Sequence, residues 1–165
     1  MTRLNRRTVI LAGSGAVAGL AAGAVILTRN WPGMTEEAPA PIFARDGLAI
    51  RGIDPVAYFD ENGPVEGDAR HAMDWKGVEW RFASAENRDR FAADPAAFAP
   101  RYGGFCAWAV AVKGELYSTQ PENWSIVEGR LYLNYNDAVQ EKWEADISRF
   151  IAEADRRWPG LVAKS

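Results

Sequence analysis

The 165-residue chain contains one cysteine, one histidine and three methionines. A single cysteine excludes an internal disulfide, a zinc ribbon and a CxxC dithiol of the thioredoxin kind. Basic residues are also scarce outside the N-terminus. Residues 1–30 contain Arg3, Arg6, Arg7 and Arg29 and no acid, which leaves 15 basic against 22 acidic residues, or −7, for the remainder. An acidic domain with no basic stripe lacks the clustered positive charge that phosphate backbones require, so nucleic acid is excluded as a partner. Against these absences stand 48% hydrophobic and 25% charged residues, a globular composition at a length that suits one ordinary domain.

The N-terminal arginines precede an uncharged run from Val9 to Leu27, VILAGSGAVAGLAAGAVIL. Basic followed by apolar is the order of an export signal. Asn5-Arg6-Arg7-Thr8-Val9-Ile10-Leu11 resembles a twin-arginine signal, which implies passage of the folded protein through the twin-arginine export machinery to the periplasm. Ala22-Gly23-Ala24 offers a small-residue cleavage site. The run is also long enough, at about 1.5 Å per residue, to approach a bilayer core of about 30 Å and stay as an inner-membrane anchor. Residues 1–30 are therefore read as export signal or anchor. Residues 31–44, with Pro32, Pro39 and Pro41, read as an extended tether. The folded domain is expected over residues 45–165.

Within that domain, Val78, Trp80 and Phe82 alternate with polar residues after Lys76-Gly77, which predicts a hairpin. A two-residue turn sets Trp75 opposite Val78, Met73 opposite Trp80 and His71 opposite Phe82. Glu128-Gly129 predicts a second hairpin that aligns Ile126 with Leu131 and Trp124 with Leu133. Ser84 is placed to cap a helix over residues 85–92, and Asp94-Pro95 to open a short second one that ends at Pro100. From Asp137, the residues Val139, Trp143, Ile147, Phe150, Ile151, Ala154 and Trp158 recur at helical spacing, with Asn136 as cap and Pro159-Gly160 as stop. The fold class is α+β: a small antiparallel sheet of hairpins, short helices and a long C-terminal amphipathic helix.

Five separated motifs occur in order: Asp54-Pro55-Val56-Ala57-Tyr58-Phe59, Trp75 to Ser84, Asp94-Pro95, Tyr102-Gly103-Gly104-Phe105-Cys106-Ala107, and Leu131-Tyr132-Leu133-Asn134-Tyr135-Asn136. From about Ile50 to Trp158 the chain resembles the YHS-domain family, in its exported bacterial branch. The resemblance implies a small domain of the kind found beside heavy-metal and copper transport. Metal-associated members carry Phe-Cys-Ser-x-x-Cys where this chain has Phe82-Ala83-Ser84-Ala85-Glu86-Asn87. Both cysteines are absent, so no metal role passes through that motif.

The domain's remaining soft-metal ligands are Cys106, His71 and Met73, a set whose thiolate, imidazole and thioether suit a copper ion. His71 and Met73 share a strand face, and the Gly103-Gly104 bend gives Cys106 a way to approach them. The alternative is structural: Cys106 as a small buried hydrophobe, Met73 as core filling and His71 as a donor to a carbonyl. Three functions follow: a metal-linked exported domain, a metal-free interaction module tethered at the membrane with a membrane-protein partner, and a thiol redox protein using Cys106 alone. Catalysis has little to draw on, since one Cys and one His form the sole nucleophile and base pair. Trp75, Trp80, Trp124 and Trp143 fall on expected core faces. Trp108, beside the cysteine, is the tryptophan placed to line a pocket.

Overall fold

Two hairpins and the helices that follow them carry the fold over residues 40–61 and 63–165, the part of the chain that the computed structural model describes. The expected export segment and the tether as far as residue 39 lie outside the described residues. Strands β1 (Ala44–Arg45), β2 (Leu48–Ala49), β3 (Asp68–Trp75) and β4 (Val78–Phe82) form one sheet in the order β1-β2-β4-β3. Strands β5 (Trp124–Val127) and β6 (Arg130–Leu133) form a separate ribbon. The helices are α1 (Ala57–Asp60), α2 (Ala85–Ala93), α3 (Pro95–Phe98), α4 (Ala107–Lys113), α5 (Asp137–Glu144) and α6 (Ile147–Val162), with 3-10 turns at Ile50–Gly52 and Arg101–Gly104. The architecture is α+β, as the separate runs of strand and helix patterns predict. One strand pair departs from the antiparallel expectation, because β2 joins β4 in parallel through Leu48 and Glu79.

Both hairpins turn where expected. Lys76 and Gly77 have φ of 55° and 74°, and Glu128 and Gly129 have φ of 50° and 70°, the positive values that a two-residue hairpin turn demands. Register follows for Trp75 with Val78 and Met73 with Trp80, and throughout the second hairpin. His71 is the exception. The pairing shifts between Asp68 and Ala72, so that Asp68, not His71, stands opposite Phe82. Such a bulge leaves residues of the longer strand unpaired and breaks the alternation that placed His71 over the apolar face.

The ribbon divides two cores. Leu131 and Leu133 point into a cluster with Tyr58, Trp80, Phe82 and Phe91, while Tyr132, on the other face of the same strand, joins Tyr102, Val110, Trp143 and Phe150. Alternation along β6 thus serves a buried layer on each side. Trp80 and Trp143 are fully buried, and Trp75 and Trp124 are half-buried against the first core.

Helix caps follow the sequence. Ser84 Oγ accepts from the Asn87 N–H, Asp94 from Ala97 and Asn136 from Val139. The expected single helix from Asp137 is two helices, α5 and α6, because the Asp146 carboxyl caps a new start by accepting from the Arg149 N–H. Pro159 lies inside α6 and does not stop it. So close to the end of a helix, the missing N–H removes one bond of the ladder and the final turn persists.

The folded chain also begins earlier than Arg45. Phe43 is buried and donates its N–H to the Gly103 carbonyl at 2.8 Å. Gly103 and Gly104 have φ of 62° and 82°, and a Cβ on Gly103 would lie 2.0 Å from the Pro41 carbonyl oxygen. The bend therefore admits the backbone of Pro41 and Ile42.

Candidate functional site: the Cys106 and Asp54 centres

Cys106 is the residue before α4, a position where the first N–H groups of a helix need acceptors and a thiol is a poor one. The acceptor comes from another element. Asn134, which follows β6 and is fully buried, offers Oδ1 to the Trp108 N–H at 3.1 Å and to the Cys106 Sγ–H at 3.6 Å. Its amide nitrogen donates to Gln140 Oε1 at 3.0 Å, and Gln140 Nε2 donates in turn to the Trp124 carbonyl, Ser125 Oγ and Glu144 Oε1. Cys106 is thus the inner end of a hydrogen-bond chain that ties α4, β5, β6 and α5 together.

The sulfur has no exposure. Burial pushes the Cys106 thiol above its ordinary range; the N–H groups of Ala109, Tyr135 and Trp108 and the Lys113 charge act the other way without reversing it. A thiol held neutral is a weak ligand and a weak nucleophile, since the thiolate performs both tasks.

His71 and Met73 lie on β3, both half-buried, and Met73 packs on the first core. β3 packs on β4 and α2, whereas α4 packs on α5, α6 and the turn Arg101–Gly104. The three expected ligands are carried on elements that serve different cores. Among the described residues no three His, Cys, Asp or Glu side chains form a group that could hold a metal ion. Trp108 is half-buried, with the Lys142 ammonium 5.5 Å from its ring centroid.

The second centre is Asp54, also fully buried. Oδ1 accepts from the Val56 N–H at 2.8 Å and the Ala57 N–H at 3.4 Å, at the entrance to α1. Oδ2 accepts from the Ala83 N–H at 2.8 Å and from Asn87 Nδ2 at 2.7 Å. Ala83 follows β4 and Asn87 lies in the first turn of α2. Here they converge on one carboxyl oxygen, so the loop after β4 and the first turn of α2 are fastened to α1 by hydrogen bonds.

Asp54, Asn134 and Gln140 are the polar residues that sequence reasoning passed over. Asp54-Pro55 and Asn134-Tyr135-Asn136 were visible as motif members, but nothing in their local pattern specifies partners 29 or 28 positions away. Comparison of the chain with protein-family models, with curated proteins and with solved structures finds no match.

Proposed function

We propose that the chain is an exported YHS-like binding module with neither a metal centre nor a redox thiol, held at the periplasmic face of the inner membrane by its N-terminal segment. The arginine pair Arg6-Arg7 and the apolar run that follows support the export half of this reading. The observation that carries the other half is the Asp54 clamp. The two positions where related metal binders place thiols are occupied by Ala83 and Asn87, which donate to a buried carboxyl that has two further donors. Such a centre fixes three chain segments and leaves no open coordination position. Cys106 supports the same reading, because its sulfur is enclosed and bonded to a neutral amide.

A copper ion held by Cys106, His71 and Met73 is the reading this displaces. It needs the head of α4 and strand β3 to supply one coordination sphere, and it needs a thiolate where burial favours the thiol. A competition titration of the folded protein against a Cu(I) chelator distinguishes the two. The expected result is that the unaltered protein, Cys106→Ala and His71→Ala all fail to withdraw copper from the chelator. Withdrawal of one Cu(I) per chain by the unaltered protein, lost in both variants, overturns the proposal.

A further inference from the structure

Every described arginine but one has a carboxylate or carbonyl partner. Arg45, Arg70, Arg81, Arg88, Arg90, Arg101, Arg149, Arg156 and Arg157 each lie against a carboxylate. Arg51 donates to the Thr119 carbonyl. Arg130, which opens β6, has neither an ion pair nor a side-chain hydrogen bond among the described residues, although it belongs to an acidic domain with carboxylates to spare.

Its position explains what it can meet. Two clefts, of about 220 and 370 Å³, have both Arg101 and Arg130 in their walls. The smaller is also lined by Trp75, Trp158 and Lys76. Arg101 is only partly engaged: one terminal nitrogen meets Asp155 at 3.2 Å, while its Nε is buried with no partner. Lys76 lies over the Trp75 ring, 4.6 Å from the centroid, and has no acid partner among the described residues. Three cations thus line the smaller cleft beside its two indoles with no carboxylate among them, while Asp155 and Glu128 line the larger one.

We infer that this cleft between the Arg101–Gly104 turn, the β5–β6 turn and α6 binds a small organic carboxylate, its anionic end on Arg130 and Arg101 and its apolar body between Trp75 and Trp158. A guanidinium presents paired donors that fit a carboxylate, and a cleft that joins apolar walls to a few convergent polar groups is the usual form of a small-molecule site. The smaller cleft, at about 220 Å³, suits a small ligand such as a single ring. The net charge of the domain opposes anions in general, so an anion is retained only where cations lack partners.

The inference goes beyond the binding-module reading. A bound metal would defeat that reading and leave the test of the cleft unchanged. That test is a titration of the full chain, labelled with ¹⁵N at its indoles, with benzoate at low salt. The expected result is a saturable shift of the Trp75 and Trp158 indole resonances. The Kd should rise by at least about tenfold in Arg130→Gln, the worth of one charge-assisted hydrogen bond, and stay unchanged in Lys113→Gln. Benzyl alcohol, which has the ring without the charge, should bind at least about tenfold more weakly. Absence of saturation, equal affinity in Arg130→Gln, or equal binding of benzyl alcohol overturns the inference. Arg130 is exposed, so its replacement leaves the core intact.

Discussion

Asp54 concentrates more of the fold in one side chain than any residue type chosen for soft-metal chemistry. Its oxygens satisfy donors from buried Val56 and Ala57, from half-buried Asn87 and from exposed Ala83. Removing the carboxyl strands the buried Val56 and Ala57 N–H groups without water, and each buried unpaired group costs about 1–3 kcal/mol. Asp54→Ala is therefore expected to destabilise the protein by roughly 3 kcal/mol or more, read as a lower midpoint in urea denaturation at unchanged slope. A loss below about 1 kcal/mol would mean that the clamp does not hold in solution. Asn87→Ala should cost less, since it removes a donor along with its bond and leaves Oδ2 still bonded to Ala83.

At the scale of elements, the bend at Gly103-Gly104 joins the N-terminal segment to the helical half. Gly103 and Gly129 share a positive φ, yet they differ in surroundings: a Cβ on Gly129 meets nothing within 4 Å, and one on Gly103 strikes the Pro41 carbonyl. Gly129→Ala should cost about 1 kcal/mol for backbone strain alone. Gly103→Ala should cost that and roughly 1–3 kcal/mol more, because Pro41 to Phe43 must lift away. Thermal denaturation of the two variants measures the difference, and equal losses would contradict the packing of this segment. The same bend marks the limit of what the sequence makes legible. Turns and caps were readable because Lys76-Gly77, Glu128-Gly129, Ser84, Asp94 and Asn136 act on neighbours within a few residues. The bulge that displaces His71 and the packing of Phe43 depend on segments that meet in space, whereas the break at Asp146 rests on a cap that acts three residues on, at Arg149. Cys106 looked like a ligand in the sequence because its acceptor, Asn134, lies 28 positions away.

For the whole molecule, the ribbon of β5 and β6 couples two cores, and buried tyrosines sit on both sides of it. Burial pushes Tyr58 in the first core and Tyr102 in the second well above the ordinary phenol value of 10.0, with Glu122 adding to the shift at the first and the Asp155 hydrogen bond adding at the second. The folded state therefore keeps its protons where the unfolded chain releases them. Stability is fully present below pH 10 and falls as pH rises toward the folded-state values, by up to about 1.4 kcal/mol per pH unit for each tyrosine. Urea midpoints measured across the alkaline range should show this fall, and Tyr102→Phe should reduce its slope by about one proton. An unchanged slope in that variant would remove Tyr102 from the account. The central claim, the proposal that this domain works by binding without a metal, is tested most directly by elemental analysis of the protein purified from its native compartment without refolding or chelator. The expected result is no transition metal at a stoichiometric level. One copper, iron or zinc per chain would contradict it.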